Sequence, residues 1–338
     1  MNASSVVISA ELATKTCVQA LLRSGVPEAG AALQVELLME AELRGRPSHG
    51  LQRLPRVIDR IRNGVANPTT KGVAKWRGTS LLEMDGEQGL GPVVAMHALE
   101  QVTARASTTG VALACIKNNN HLGMLAFYAE RVARQGLTLI ALSTSEALVH
   151  PWGGRKALLG TNPIAIGVPA SPLPFVLDMA TSLVSMGEIH AHAHRGAPLR
   201  PGWALDANGD PTTDAAAAKH GAIAPFGDAK GYALGLAFEV LVASLTASAL
   251  GTDVKGTLDA DHPCNKGDVF IVVEPASAGI SNTVSAYLDA IRSSPPADPR
   301  RPVAVPGDRA HTRRAESIDE GLTLPREVWS RITFLADA

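Results

Sequence analysis

The densest chemistry in the sequence lies between Arg44 and Arg53, in Arg-Gly-Arg-Pro-Ser-His-Gly-Leu-Gln-Arg. His49 exchanges a proton near neutral pH. Arg53 can grip a carboxylate through two parallel hydrogen bonds. Ser48 adds a hydroxyl, and Gly50 lets a ligand approach the backbone. The same residues also serve as a capping serine and a surface histidine, and spacing alone does not separate the two readings. A second cluster is Asn118-Asn119-Asn120-His121-Leu122-Gly123, between a strand and a helix. That place suits anion or ribose binding, and an Asn-rich turn accounts for it equally. A third pairs Gly160-Thr161-Asn162-Pro163 with Leu177-Asp178-Met179-Ala180-Thr181-Ser182. There Asp178 ends a strand, and the hydroxyls can cap the next helix. His190 and His194 share a helix face at i, i+4, a workable metal spacing, but a solvated face or an ion pair with Glu188 also fits. No metal site is expected.

Several motifs are missing. The sequence has no GxGxxG after a strand, no GxxxxGK[ST], no GxSxG and no HExxH. The glycines of Asp85-Gly86-Glu87-Gln88-Gly89-Leu90-Gly91 have the wrong order for a dinucleotide fingerprint. Cys17, Cys115 and Cys264 are odd in number and far apart, which fits free thiols in a reducing, cytoplasmic compartment.

These clusters need a scaffold. The chain has 338 residues, 46% hydrophobic and 19% charged, with a net charge of −1. That balance fits a soluble globular protein of one large or two ordinary domains. The near-neutral charge and 4% aromatic content speak against nucleic-acid binding. The N-terminus MNASSVVISAEL lacks a basic start and a long apolar core, so no signal peptide is expected. The first 64 residues read as helices: Ser9 to Arg23, Pro27 to Leu43 and Leu54 to Arg62. Further helices are expected over 93–105, 125–135 and 181–194, with strands over 111–116, 137–142, 164–168, 175–177 and 269–273. The apolar run 231–250 carries Glu239 near its middle, and reads as a buried helix rather than a membrane span. A Pro-rich linker at 293–308 precedes a helical tail. Helix and strand therefore mix as an α/β core, with helices gathered at both ends.

Taken in order, SHGLQRLPR, NNNHLG, HPWGG, LGTNPIAIGVP, LDMATS, PGWALDANGDPTTD, FGDAKGYALG and PGDR span nearly the whole chain. In order and spacing they resemble the type 2 malate/L-lactate dehydrogenase family of sulfolactate-dehydrogenase-like oxidoreductases. Ureidoglycolate dehydrogenase, 2,3-diketogulonate reductase and the piperideine/pyrroline-2-carboxylate reductases are among its members. The resemblance implies a nicotinamide-binding domain that is not a Rossmann fold, with a mixed, largely antiparallel sheet (73–292). It implies a helical domain built from both termini (1–72 with 293–338), and a homodimer. It also implies NAD or NADP as cofactor and a small carboxylate as substrate.

By the same resemblance His49 is the acid/base, and Ser48 and Arg53 hold the substrate. His121 and Thr161 stand beside substrate and cofactor. Asn162, Asp178, Met179, Ala180, Ser182, Lys230, Gly307, Asp308 and Arg309 match cofactor-binding stretches. Pro47, Glu188, Asp228 and Ala229 depart from the family pattern, as do Ala243 and Ala247 in the long apolar helix. The expected reaction joins a 2-oxo acid and its 2-hydroxy acid, and oxidation should rise with pH through the His49 pKa. Reduction of a cyclic imine carboxylate is the near alternative. A catalytically weak ligand-binding protein and a metal-dependent enzyme are the distant ones.

Overall fold

The computed structural model describes residues 5–276 and 280–337. Met1 to Ser4 of the N-terminal segment, and the outermost ends of the expected domain division, lie outside them. The chain opens with strand β1 (Ser5–Ile8) and helices α1 (Ala10–Arg23) and α2 (Glu28–Leu43). Ser9 caps α1 by accepting from the Leu12 amide at 3.2 Å. Two 3-10 turns, Pro47–His49 and Leu51–Arg53, lead into α3 (Leu54–Arg62). Next come β2 (Val73–Arg77), β3 (Leu81–Asp85), α4 (Gly91–Thr109), β4 (Val111–Lys117), α5 (Ala126–Arg134) and β5 (Thr138–Ser143). Strands β6 (Ile164–Val168) and β7 (Phe175–Met179) precede α6 (Met186–Arg195). A small excursion holds β8 (Ala204–Leu205), β9 (Pro211–Thr212), α7 (Ala215–Ala218) and β10 (Ala222–Ile223). After it stand α8 (Asp228–Thr246), β11 (Gly267–Val273) and α9 (Ile280–Arg292). The described chain closes with α10 (Asp308–Glu320), β12 (Leu322–Pro325) and α11 (Arg326–Asp337).

The main sheet is mixed and runs β2-β3-β4-β11-β5-β6-β7. Its β3–β4 pair is parallel and its other pairs are antiparallel. Central β11 is buried at Val269, Phe270 and Val272, as a strand covered on both faces must be. Helices α4 and α5 pack on one face through Val94, Ala98, Tyr128 and Val132. Helix α8 packs on the other through Val242, against Leu142 and Val269. A second apolar cluster joins α1, α2 and α3 to β12 and α11. Each fully buried leucine or isoleucine there, such as Leu21, Leu54 or Ile332, contributes roughly 1.5–3 kcal/mol.

The registers explain how distant clusters meet. Lys117 at the end of β4 pairs with Gly267, and Ser143 at the end of β5 pairs with Asp268. Leu142 pairs with Ile164, which pairs with Met179. One edge of the sheet therefore collects the loops at 118–121, 144–146, 160–163, 180–182 and 264–266.

Four expectations need correction. Residues 5–8 form a strand, because Ser5 to Ile8 pair with Pro325 to Leu322 across almost the full chain length. The helical tail accordingly contains a strand. The helix expected from Thr181 starts at Met186: the Thr181 amide donates to Thr161 O and Ser182 bridges to Pro225. Ser185 then caps α6 by accepting from the Glu188 amide at 3.1 Å. Helix α8 is long and apolar enough by composition to cross a membrane. It is buried on one side only, at Gly231, Gly235, Glu239, Val242, Ala243 and Thr246. Leu234, Leu236, Val240 and Leu241 stay exposed.

Candidate active site

The turn after α2 is held from below by a carboxylate. Glu42 Oε2 accepts from the Leu51 amide at 2.9 Å. A Cβ on Gly50 would lie 2.1 Å from the same oxygen, so any larger residue there would push the Glu42 carboxylate off the Leu51 amide. From the other side Arg53 Nε donates to Ser48 O at 2.7 Å, closing a ring around His49. Arg53 Nη1 reaches Thr257 O at 3.4 Å. Ser48 Oγ lies 3.1 Å from His49 Nδ1. The first turn of α6 backs this loop, since a Cβ on Gly187 would approach Ser48 Cβ to 2.7 Å.

His49 and His121, 72 residues apart in the sequence, stack with ring centroids 5.5 Å apart and planes at 29°. Gly123 N donates to His121 Nδ1 at 3.1 Å, which places the hydrogen of the neutral ring on Nε2. Burial, then the Arg53 and Arg46 cations, bring the His49 pKa down to about 4. Burial pushes His121 well below the usual histidine range, with Arg53, His49 and Lys266 adding to it. Arg53 itself falls to about 10 through burial and the repulsion of Arg56, and Glu146 opposes that fall. At neutral pH the site therefore holds two neutral imidazoles beside a charged guanidinium.

The three asparagines before His121 are structural. Asn118 Nδ2 donates to the Asp85 carboxylate at 3.0 and 3.1 Å. Asn119 Nδ2 donates to Asp268 at 3.2 Å. Asn120 donates to Gln88 O and Gly89 O and accepts from Arg60 Nε at 2.8 Å. The Asn-rich-turn reading thus describes their side chains, and the turn serves to present His121. Beneath it Lys266 and Asp268 form a buried ion pair, to which Ser143 Oγ donates at 2.6 Å. Between α2, α3 and this turn lies a narrow, partly open pocket, lined by Gln34, Leu38, Arg53, Arg56, Leu90 and His121 among others.

The residues expected at the cofactor form a second strip. Thr161 contacts Ser145, with Oγ1 3.2 Å from its hydroxyl, and its carbonyl accepts from Thr181 Oγ1 at 2.9 Å. Asn162 is fully buried, and its Nδ2 donates to Gly235 O and to Glu239 Oε2 at 2.7 Å. Asp178 Oδ2 accepts from Ala126 N at 2.8 Å, capping α5 from another strand. Burial raises the Asp178 pKa, and that amide bond opposes the rise. Met179 and Ala180 are half-buried. Lys230 lies exposed in the first turn of α8, and Arg309 lies exposed in that of α10. Asp308 pairs with Arg292, while Gly307 sits against Val176 O of the edge strand β7. Ser145 and Glu146 link the strip to the first cluster: Thr257 N donates to Glu146, and Thr257 O accepts from Arg53. No hydrogen bond joins Thr161 directly to 48–53 among the described residues.

His192 Nε2 lies 3.2 Å from Glu188 Oε1 and its Nδ1 2.9 Å from Pro198 O, so this ring is engaged by local partners on its own helix and the turn after it. Among the described residues no group of three metal-ligating side chains gathers. Sequence reasoning missed Arg60, Gln34, Arg56 and the Lys266–Asp268 pair. It noticed Glu239 only as a charge in an apolar helix. That charge was the available signal: Glu239 accepts from Gly160 N, Asn162 Nδ2 and Gly251 N, and so fixes the loop carrying Thr161.

Known proteins resemble the chain over nearly its full length. The family profile for malate/L-lactate dehydrogenase matches residues 8–333. The crystal structure of a dehydrogenase from Sinorhizobium meliloti is 55% identical, with a TM-score of 0.96 and 98% of both chains covered. L-sulfolactate dehydrogenase of Methanocaldococcus jannaschii is 33% identical over 96% of this chain and 95% of its own. A Delta(1)-pyrroline-2-carboxylate reductase of Ancylobacter novellus is 31% identical over 94% of each.

Proposed function

The chain belongs to the malate/L-lactate dehydrogenase family and is an NAD(P)-dependent oxidoreductase; from that premise we propose that it interconverts a small 2-oxo acid and its 2-hydroxy acid, with His49 moving the proton. The observation that carries this reading is the loop of 48–53 itself. It places an imidazole stacked on His121 beside a guanidinium with unspent N–H groups, at the wall of a small pocket. Arg53 gives one N–H to Ser48 O and one, over a long distance, to Thr257 O. Its remaining donors suit a substrate carboxylate in two-point contact. That contact orients the carbonyl carbon. Ser48 Oγ fixes the ring of His49 through Nδ1 and leaves Nε2 to exchange a proton with the substrate oxygen. His121 offers its Nε2–H to the same oxygen.

The strip from Thr161 to Ser182, with Lys230 and Gly307 to Arg309, fits a nicotinamide dinucleotide. Ser182 Oγ, Asn162 Oδ1 and His311 Nε2 are buried without a hydrogen-bond partner in the protein. Two exposed cations, Lys230 and Arg309, stand at helix N-termini where phosphates bind. Bound there, the cofactor supplies the hydride. This assigns cofactor contact to Thr161, Asn162, Met179, Ala180, Ser182, Lys230 and Gly307 to Arg309. Asp178 contributes by anchoring the end of β7.

We read the sheet as a nicotinamide platform distinct from the doubly wound parallel kind, formed by residues 73–292. Residues 1–72 and 293–338 form the helical unit around it. The exposed apolar face of α8 is where a second copy of the chain would dock to make a homodimer. Leu241→Glu should then shift the sedimenting species from dimer to monomer. Three buried free cysteines agree with a cytoplasmic protein.

One other reading has support. Leu37, Leu38, Val57 and Leu90 make much of the pocket wall apolar, and a pyrroline-2-carboxylate reductase is among the relatives. A cyclic imine carboxylate would fit such a wall. A steady-state screen separates the two. It pairs NADH and NADPH with pyruvate, oxaloacetate, sulfopyruvate and the five- and six-membered cyclic imine carboxylates. Turnover of a 2-oxo acid supports the main reading, and turnover of imines alone replaces it.

A further inference from the structure

Arg53 is fixed to the protein at two points that differ in kind. Its Nε donates to Ser48 O at 2.7 Å, a short bond inside its own loop. Its Nη1 meets Thr257 O at 3.4 Å, on a segment 204 residues further along the chain. One bond leaves the planar guanidinium free to swing about it, and the second sets where the free edge aims. A contact at 3.4 Å stands near the limit of a hydrogen bond, so a small displacement ends it. The position of Thr257 therefore decides the aim of the clamp.

Thr257 is 5% exposed and lines the pocket beside Gly256 and Arg53. Further along, its segment is tied to α3. Arg60 donates to Asp259 O at 2.9 Å and His262 O at 3.0 Å, and Asn63 Nδ2 donates to Ala260 O at 3.0 Å. At Thr257 the holding group comes from the sheet instead. Glu146 Oε1 accepts from Thr257 N at 2.8 Å, Thr257 Oγ1 at 3.1 Å and Leu258 N at 2.8 Å. Glu146 follows β5, whose end is pinned where Thr144 N donates to Gly267 O at 3.0 Å and Gly267 N donates to Thr144 Oγ1 at 3.1 Å. By charge alone an acid in this place is a disadvantage. It is close enough to help hold up the Arg53 pKa, and it repels an anionic substrate. What it supplies in return is three bonds on one oxygen that fix the carbonyl facing Arg53.

We propose that Glu146 is a positioning residue of this oxidoreductase: it holds the Thr257 carbonyl against Arg53 and so aims the guanidinium at the substrate carboxylate. The inference rests on the reading that Arg53 clamps that carboxylate. Neighbouring Ser145 Oγ accepts from the Thr161 amide at 2.9 Å, so one loop is the fixed reference for both the clamp and the cofactor strip.

The test is a double-mutant cycle. It measures kcat/KM for oxaloacetate and pyruvate in wild type, Glu146→Ala, Glu146→Gln, Arg53→Gln and the Glu146→Ala/Arg53→Gln double variant. Fluorescence titration gives NADH and NADPH affinity on the same samples. Glu146→Ala should lower kcat/KM by about 10-fold, the worth of one hydrogen bond to a charged group, with cofactor affinity within about twofold of wild type. Glu146→Gln keeps an oxygen that accepts, and should restore most of that loss. In the Arg53→Gln background Glu146→Ala should change kcat/KM by less than about twofold, because no fork is left to aim. Where Glu146→Ala does not fold, Glu146→Asp, which draws the acceptor back by one methylene, takes its place in the cycle. The inference is overturned, while the Arg53 clamp stands, by any of three results: a full loss on top of Arg53→Gln, a Glu146→Gln as impaired as Glu146→Ala, or a Glu146→Ala with wild-type kcat/KM. Full activity of Arg53→Gln removes the clamp reading, and the inference with it.

Discussion

Arg53→Gln removes a positive fork and keeps a polar side chain, and the structure sets what that should cost. In the native loop Nε donates to Ser48 O at 2.7 Å and Nη1 to Thr257 O at 3.4 Å, which leaves the Nη2 edge for a substrate carboxylate. Hydrogen bonds between charged partners are worth about 1.5–3 kcal/mol each. Losing two costs about 3–6 kcal/mol, or roughly 10²- to 10⁴-fold in kcat/KM. The change also has an electrostatic signature. Arg53 is the leading charge, after burial, that holds His49 near a pKa of about 4. Without it a proton on His49 is less disfavoured, so the pKa rises. Reduction needs the protonated imidazole, so its kcat/KM declines as pH passes the free-enzyme pKa. In Arg53→Gln that decline should move to higher pH while the plateau drops. Arg53→Lys keeps the charge and loses the fork, so it should show a smaller pKa change and most of the affinity loss. The assay is the pH dependence of initial rates, followed by the disappearance of reduced nicotinamide. Activity within about threefold of wild type, with the limb unmoved, would refute the reasoning.

Asp178→Ala should destabilise the protein by about 1–2 kcal/mol in urea unfolding, because it removes the cap that Ala126 N donates to at the start of α5. Glu239→Leu should lower stability by about 2–4 kcal/mol and raise the KM for cofactor, since Gly160 N, Asn162 Nδ2 and Gly251 N lose their acceptor; an unchanged KM would separate α8 from the cofactor strip. His121 stays neutral in the fold far below the usual histidine value, so the unfolded chain binds the extra proton once pH drops beneath about 6.5. Stability should therefore fall as pH falls through that range, and His121→Asn should make the acid-side slope of the urea midpoint shallower.

The sequence showed which residue types would matter more clearly than it showed what each would touch. Hydrophobic periodicity located α1, α2, α3 and β6 to within a residue or two, because local spacing and caps such as Ser9 decide those elements. It read the stretches of β1 and β12 as parts of helical ends. Each is four residues long and gains its partner only from the far end of the chain. The loop at 44–53 stood out by composition, and the fold gives it a matching geometry around His49. The cluster at 118–121 was visible too, but its asparagines are spent on Asp85, Asp268, Gln88 and Gly89. Arg60 looked like any cation on an amphipathic helix, because its partners at 259 and 262 lie about two hundred residues away. A separation of 149 residues likewise hid the Lys266–Asp268 pair under Asn119. Glu239 was legible as an anomaly, and its role emerged only when β6 brought Asn162 beneath α8.

The most direct test compares wild type with His49→Asn at neutral pH, measuring nicotinamide binding and 2-oxo acid reduction on the same samples. Asparagine keeps a polar contact for Ser48 Oγ and has no group that titrates near neutral pH. The account predicts cofactor affinity equal to wild type and a kcat/KM lower by roughly 10²- to 10⁴-fold, the usual worth of a positioned acid. A variant that binds cofactor and reduces the substrate at the wild-type rate would contradict the assignment of the proton to His49.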